Sequence, residues 1–384
     1  MDSQLLGRAI IAAADQVAAN ASYFGLAYPG DCTVEGVYKL RPATNKLPAG
    51  TNLGWTTGFV PGVAWAAWQL TGAAGLRDAA LAHVASFAAR AQYRIDVETH
   101  DLGFLYTLSS VTAWQLGGCV PARTAALEAA DLLVQRVVEP AGIIQAWGGC
   151  DDPVQRGRTI IDSLMNMSLL CWAADQGGAV YREVARRHVG QLRDHMIRPD
   201  GSTFHTFYWD PVSGAPLYGG TQQGHANGSC WARGQAWGVL GFALAYRHLG
   251  DPSFLDASRR CADYLLRHLP GDGVPVWDLS FGEGDGQPRD SSAAAIAVCG
   301  LLELAGQLGA GDAAAEYRAA AEKTMEALMT GYVPAEAVPQ GPLLLHGVYD
   351  LPQGNGVDEG SLWGDYFYME ALLRLSKDDW HPWW

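Results

Sequence analysis

Four stretches of the chain run for the length of a helix without a charged residue: Gly58–Thr71 (GFVPGVAWAAWQLT), Gly103–Leu116 (GFLYTLSSVTAWQL), Ser163–Ala174 (SLMNMSLLCWAA) and Gly234–Ala245 (GQAWGVLGFALA). A helix that is apolar all round is enclosed all round. Between these stretches lie segments with charge at helical spacing. Leu76–Arg94 carries Arg77, Asp78, Arg90 and Arg94, and Tyr181–Met196 carries Arg182, Glu183, Arg186, Arg187 and Asp194. Such segments turn one face inward and the other to water. The pattern predicts twelve helices, at 3–20, 57–71, 75–92, 103–116, 122–137, 162–174, 178–195, 230–248, 252–268, 290–307, 312–330 and 361–376. Enclosed and amphipathic helices alternate. Six inner–outer pairs make an all-α fold, an (α/α)6 barrel of six helical hairpins. No strand-rich block or Ser/Pro linker divides the chain, so residues 1–384 are expected to form one catalytic domain. The stretches 25–54, 139–160, 197–229 and 269–289 are long loops rich in Gly, Pro, Asp and aromatics, and loops of that length in a compact fold are usually functional.

Polar residues gather where the inner helices begin. Trp55-Thr56-Thr57, His100-Asp101, Asp162-Ser163, Ser229-Cys230-Trp231-Ala232-Arg233, Arg289-Asp290-Ser291-Ser292 and Ser361-Leu362-Trp363-Gly364-Asp365 all stand at such starts. In a ring of hairpins the inner helices point the same way, so these groups surround one mouth. Helix N-termini offer free N–H groups and a positive dipole end there, which suits an anion. Capping competes with chemistry for the same residues, because Asp and Ser are favoured N-caps. Taken singly, Asp290 and Ser291 read as caps. His100 reads as a group that orients its neighbour, His205 as a site residue on a loop, and Asp151-Asp152 as a solvated corner. The Trp380–Trp384 segment (WHPWW) either docks back on the barrel or lines a contact between copies.

Composition narrows the partners. The formal net charge of -14 argues against nucleic acid, whose binding rests on Lys and Arg neutralising phosphates, and against an anionic membrane surface. An anionic small substrate then needs a local positive or donor-rich site. Fourteen Trp residues supply flat faces suited to sugar rings as well as core volume. The opening MDSQLLGRAIIAAADQ lacks the basic start of a secretory signal. The seven Cys are scattered, odd in number and without a C-x-x-C, so neither a disulfide framework nor a Cys-rich metal site is expected, and a cytoplasmic location is. No metal or cofactor is expected.

The ordered motifs carry a resemblance. Trp55-Thr-Thr-Gly-Phe59-Val-Pro-Gly62, His100-Asp101-Leu-Gly-Phe104, Ile160-Ile161-Asp162-Ser163-Leu-Met-Asn166, Asp200-Gly201-Ser202-Thr203-Phe-His205, Gln223-Gly224, Ser229-Cys-Trp231-Ala-Arg233-Gly-Gln-Ala-Trp237 and Trp363-Gly364-Asp365-Tyr366 resemble those of the unsaturated glucuronyl hydrolases, glycoside hydrolase family 88. They follow the family's order across roughly residues 30–376. The resemblance implies the six-hairpin barrel, Asp162 as general acid/base and Asp101 as the second essential carboxylate. It further implies His205, Gln223 and Arg233 around the substrate's carboxylate, hydroxyls and attacking water, and Trp55, Phe59, Trp147 and Trp237 as aromatic walls. The implied substrate is a small oligosaccharide, preferably a disaccharide, ending in an unsaturated uronic acid. A helix-start Arg paired with a structural acid is the other reading of Arg233. The alternatives are an unsaturated rhamnogalacturonyl-type hydrolase or another uronate-acting α/α-barrel enzyme. Family members that act on sulfated fragments resemble a Ser-x-x-Ser-x-Lys pattern before Gly356-Val357-Asp358-Glu359. Here those positions hold Asp350, Gln353 and Asn355, which implies a preference for unsulfated substrates.

Overall fold

The computed structural model describes residues 1–377 and 379–384. The charge-free stretches form the inside of a closed ring. Its inner helices are Phe59–Thr71, Leu102–Gly117, Ser163–Asp175, Ala232–Leu249, Ser291–Leu308 and Leu362–Ser376, each packed on the next, with the last returning to the first. The outer layer consists of Ser3–Phe24, Ala74–Ala82 with Val84–Gln92, Val120–Val134, Ala179–Met196, Pro252–His268 and Asp312–Gly331. The fold is the (α/α)6 barrel. Ser291–Leu308, apolar enough by composition to cross a membrane, is instead an enclosed wall of the ring.

Two predicted helices are interrupted, each for a local reason. The segment at 75–92 breaks at His83, which turns inward so that its Nδ1 lies 2.9 Å from the Tyr28 hydroxyl. The inner helix at 103–116 contains one π turn, Thr107–Val111, inside otherwise α-helical residues. Next to it the chain approaches its neighbour very closely. A Cβ on Gly103 would stand 2.2 Å from Asn166 Cα, and Asn166 Oδ1 accepts the Phe104 N–H at 2.9 Å. Only glycine permits that contact. It binds the Asp101 helix to the Asp162 helix one turn below their starts.

Three small antiparallel sheets, not foreseen from the pattern, occupy the loops. They are β1 (Val137–Val138) with β2 (Ile143–Ile144); β3 (Arg158–Ile160), β4 (Thr206–Trp209) and β5 (Pro216–Gly220) in that order; and β6 (Gly347–Asp350) with β7 (Asn355–Glu359). Arg158, Tyr208 and Tyr218 are cross-strand partners in the second sheet. The WHPWW segment docks on the barrel. Trp384 is buried, stacks on Phe367 at 5.8 Å, meets Phe104 edge-on at 5.8 Å and donates its indole N–H to Glu370 at 2.6 Å.

Candidate active site

The inner helices begin around one mouth, and a cavity of about 230 Å³ opens there. Trp55, Asp101, Trp147, Asp162, His205, Gln223, Arg233 and Trp237 line it, eight of the nine residues singled out from the sequence. Phe59 is the exception. It is fully buried behind Trp55, edge-on to it at 5.7 Å and packed on Phe104 and Tyr366, so it supports the wall without forming it. Phe59 is the first residue of its helix, and its ring is turned onto Phe104, Tyr366 and Phe367 of neighbouring inner helices.

Asp101 and Asp162 occupy N-cap positions, yet neither side chain caps its helix. Asp290, at the same kind of position, does cap: its carboxylate accepts the N–H groups of Ser292 and Ala293. The two uncapped carboxyls instead face a common histidine. His100 Nε2 lies 3.3 Å from Asp101 Oδ1 and 3.7 Å from Asp162 Oδ1, with both carboxyls only 15% exposed and the imidazole fully buried. Burial, reinforced by Arg136 and Arg158, pushes His100 down to about 3, so the ring is neutral. Burial, opposed by a 2.6 Å hydrogen bond from Thr99, pushes Asp101 up to about 6. Burial and then the charge of Asp101 hold Asp162 well above the usual carboxylate range, against the pull of Arg233. Asp162 Oδ1 is buried and, among the described residues, has no hydrogen-bond partner. Both carboxyls are raised, and the charge of Asp101 adds to the burial of Asp162, so Asp162 is the member of the pair suited to hold a proton and Asp101 the one suited to carry the charge.

His205 is held in one tautomer. Its Nδ1 accepts the backbone N–H groups of Gln222 and Gln223 at 3.1 and 3.2 Å, which leaves the proton on Nε2. The ring lies on Trp231 at 4.3 Å. Burial, then Arg233 and Arg158, keeps it neutral, and the buried Nε2 has no partner among the described residues. It is a free N–H donor at the cavity wall. Gln223 donates its side-chain amide to Tyr349 O at 3.1 Å.

Arg233 combines both readings made of it. Its guanidinium lines the cavity, but its NH groups are engaged: one with Asp290 at 3.2 Å and with Val348 O, the other with Tyr349 O at 2.7 Å. It lies 4.3 Å from the Trp231 ring and 4.9 Å from Trp363. The pairing with a structural acid is thus real, and it fastens the β6–β7 hairpin to the mouth.

Sequence reading named Asp350 of that hairpin but missed Tyr349. Tyr349 and Asp350 line the cavity, with Ile160, Gln222 and Trp231. The Tyr349 hydroxyl accepts the Trp55 indole N–H at 3.1 Å, and Trp55 stacks on Trp363 at 5.2 Å. Trp231 lay inside a quoted motif beside Arg233, and its aromatic face was the available signal. Tyr349 gave none, because a short strand 294 residues from Trp55 shows no periodicity that points to a mouth. Of the three positions compared for sulfate, Asp350 lines the cavity, whereas Gln353 and Asn355 are exposed on the hairpin beyond it. His100 lies beside the two carboxyls but its ring nitrogens make no hydrogen bond among the described residues, and Asp151-Asp152 is a surface corner in which half-buried Asp152 accepts the Val154 N–H.

A family model described as Glycosyl Hydrolase Family 88 matches residues 37–373. The chain is 42% identical to the unsaturated chondroitin disaccharide hydrolase of Streptococcus pneumoniae, over 99% of this chain and 93% of that protein. The crystal structure of unsaturated glucuronyl hydrolase from Streptococcus agalactiae matches with a TM-score of 0.95 at 41% identity, covering 100% of this chain and 94% of the other. A mutant of that enzyme complexed with dGlcA-GalNAc6S matches with a TM-score of 0.86 at 39% identity, covering 99% and 93%.

Proposed function

The chain belongs to glycosyl hydrolase family 88, and on that premise we propose that Asp162 is the acid/base with which it hydrates a Δ4,5-unsaturated glucuronyl residue at the non-reducing end of a lyase-generated oligosaccharide. The enzyme is a glycoside hydrolase, and its substrate is an oligosaccharide ending in an unsaturated uronic acid. The observation that carries the assignment is the uncapped pair of carboxyls at the helix starts, Asp162 and Asp101, both facing the buried His100, with burial and the charge of Asp101 raising Asp162 well above the usual carboxylate range.

The C4=C5 bond of this sugar is an enol ether conjugated to the carboxylate. Asp162 gives its proton to C4. The electron pair of the double bond forms the new C–H bond, and positive charge develops over C5 and the ring oxygen. Asp101, charged and close, favours that cation. Asp162, now a carboxylate, takes a proton from water as the water oxygen bonds to C5. The product is a hemiketal at C5. It opens with cleavage of the C5–ring oxygen bond, and the hemiacetal formed at C1 releases the neighbouring sugar as an alcohol. One water is consumed, and Asp162 ends protonated as it began. The glycosidic carbon is not attacked, so the carboxyl spacing that separates retaining from inverting glycosidases has no bearing here. The neutral Nε2–H of His205 suits a substrate oxygen, and Trp55, Trp147 and Trp237 present faces to the ring. The seven cysteines stand unpaired, which supports a reducing compartment such as the cytoplasm.

Turnover in heavy water is expected to place deuterium at C4, and labelled water to place its oxygen at C5, while the ultraviolet absorbance of the conjugated bond disappears. Labelled oxygen at the anomeric carbon would mean ordinary glycoside hydrolysis and would remove the assignment.

Within this substrate class we place the preference on unsulfated disaccharides. Asp350 at the cavity edge would repel a sulfate, and the charge-assisted hydrogen bonds that a Lys offers, worth about 1.5–3 kcal/mol, are missing at Asn355. The catalytic efficiency for an unsulfated disaccharide is expected to exceed that for its sulfated partner by roughly tenfold or more. A clear preference for the sulfated partner would show that sulfate is received elsewhere in the mouth.

A further inference from the structure

Five arginines at the mouth end of the barrel are almost fully buried: Arg41, Arg90, Arg136, Arg158 and Arg233. Three are neutralised, Arg41 by Asp31, Arg90 by Asp96 and Arg233 by Asp290. Among the described residues, Arg136 and Arg158 have only neutral acceptors. Both hold the loop that carries Trp147. Arg136 donates to Gln145 O and Gly148 O, each at 3.1 Å, and so brackets Trp147 along the chain. Arg158 holds the ring: its guanidinium lies 4.1 Å from the Trp147 ring centre. Behind it stands Tyr208, whose ring centre is 5.7 Å from the guanidinium and which is stacked on Tyr218 at 4.8 Å. The same guanidinium donates to Gln155 Oε1 at 3.1 Å and to Gln222 Oε1 at 2.8 Å. Gln222 is one of the two residues whose backbone N–H groups fix the tautomer of His205.

A buried cation without a carboxylate partner costs desolvation energy that a neutral side chain would not. Mere packing of Trp147 does not require one. A charge behind the pocket wall does serve an anionic substrate, which otherwise meets a protein of net charge -14. The position fits that use. Ile160, two residues along β3 on the same face as Arg158, lines the cavity, so the strand leads from the pocket directly to the arginine.

We propose that Arg158 is a positioning residue for this site: it fixes the plane of Trp147 and, through Gln222, the seat of His205, and it supplies a positive charge without a carboxylate partner that makes the pocket selective for an anionic sugar. The inference rests on the reading of the substrate as an unsaturated uronate. Its stacking and charge parts separate in two variants. Arg158→Gln removes both, while Arg158→Lys keeps the charge but loses the planar stack and the paired donation to Gln155 and Gln222.

The test is steady-state kinetics on an unsulfated unsaturated disaccharide at low and high salt, with thermal unfolding as a control. For Arg158→Gln, KM is expected to rise roughly tenfold with kcat changed by no more than about threefold, and the fall of kcat/KM with salt is expected to flatten. Arg158→Lys should retain the wild-type salt dependence while keeping a raised KM. The proposal is overturned if Arg158→Gln shows wild-type KM and salt dependence, or if both variants lose kcat, KM and unfolding temperature together as a purely structural residue would. Should Arg158→Gln not fold, the lysine variant alone decides, since a wild-type KM there refutes the stacking role and a flattened salt dependence refutes the charge role. Absence of turnover by the wild-type protein would instead refute the substrate reading, and is seen before any variant is made.

Discussion

Asp162→Asn is expected to fold, bind the unsaturated sugar and turn it over at least ~10²–10⁴-fold more slowly, because the change removes the proton donated to C4 and the base that receives the proton from water while leaving the cavity's shape. The measurement is the initial rate of absorbance loss beside a binding titration with the same disaccharide. A rate near wild type would take the acid/base role from this residue. The pH profile carries the sign. Catalysis needs Asp162 protonated and Asp101 charged. The rate should therefore rise through about 6, where Asp101 ionises, and fall at higher pH as Asp162 loses its proton. The two limbs belong to the pair, since each carboxyl feels the other. Asp101→Asn removes the negative charge that helps to raise Asp162, so its alkaline limb should move to lower pH as activity falls.

Stability should move the opposite way from activity. The folded-state value of Asp162 is raised, so its contribution to stability is fully present below the unfolded carboxyl value and is lost as pH rises through the folded one. At neutral and alkaline pH, Asp162→Asn should therefore unfold at a higher temperature than wild type, and the difference should shrink as pH is lowered toward the ordinary carboxylate range. An asparagine variant that is less stable than wild type at alkaline pH would mean that the carboxyl is better solvated than its burial implies.

The second large effect lies beneath the pocket. Trp384→Ala is expected to lower unfolding free energy by about 3–5 kcal/mol, read from denaturant midpoints, because a buried indole leaves a cavity and its N–H partner Glu370 loses a donor. The consequence should reach the site. Trp384 stacks on Phe367 and meets Phe104, and these two rings lie 5.2 and 5.4 Å from Trp237 in the cavity wall. KM should therefore rise as well. A loss below about 1 kcal/mol would show that the segment rests on the barrel without supporting it.

Much of the architecture is written locally. Absence of charge over a helix's length, alternating with charge at helical spacing, located four inner helices and the outer ones between them, because enclosure on all sides tolerates no unpaired charge; Ser291–Leu308 and Leu362–Ser376 are inner too, their Glu303 and Glu370 being paired with Arg247 and Arg374. The same order put Asp101 and Asp162 at starts of inner helices, hence at one mouth. What those carboxyls do there was not legible. Asp162 and Asp290 are the same residue at the same kind of position, and only the folded chain turns one onto N–H groups and leaves the other free beside His100. Arg233 met Asp290 and the backbone of β6, more than 50 residues away, and Phe59 passed behind Trp55 instead of facing the cavity. The three-stranded sheet joins residues 158–160 to residues 206–220 through strands of three to five residues, too short to show an alternation. Periodicity reports which face of one element is buried. It carries no information on which distant donor a buried side chain will meet, so the amino-acid sequence determined the barrel and the mouth, while the partners that set each charge and each tautomer were decided only when the ring closed.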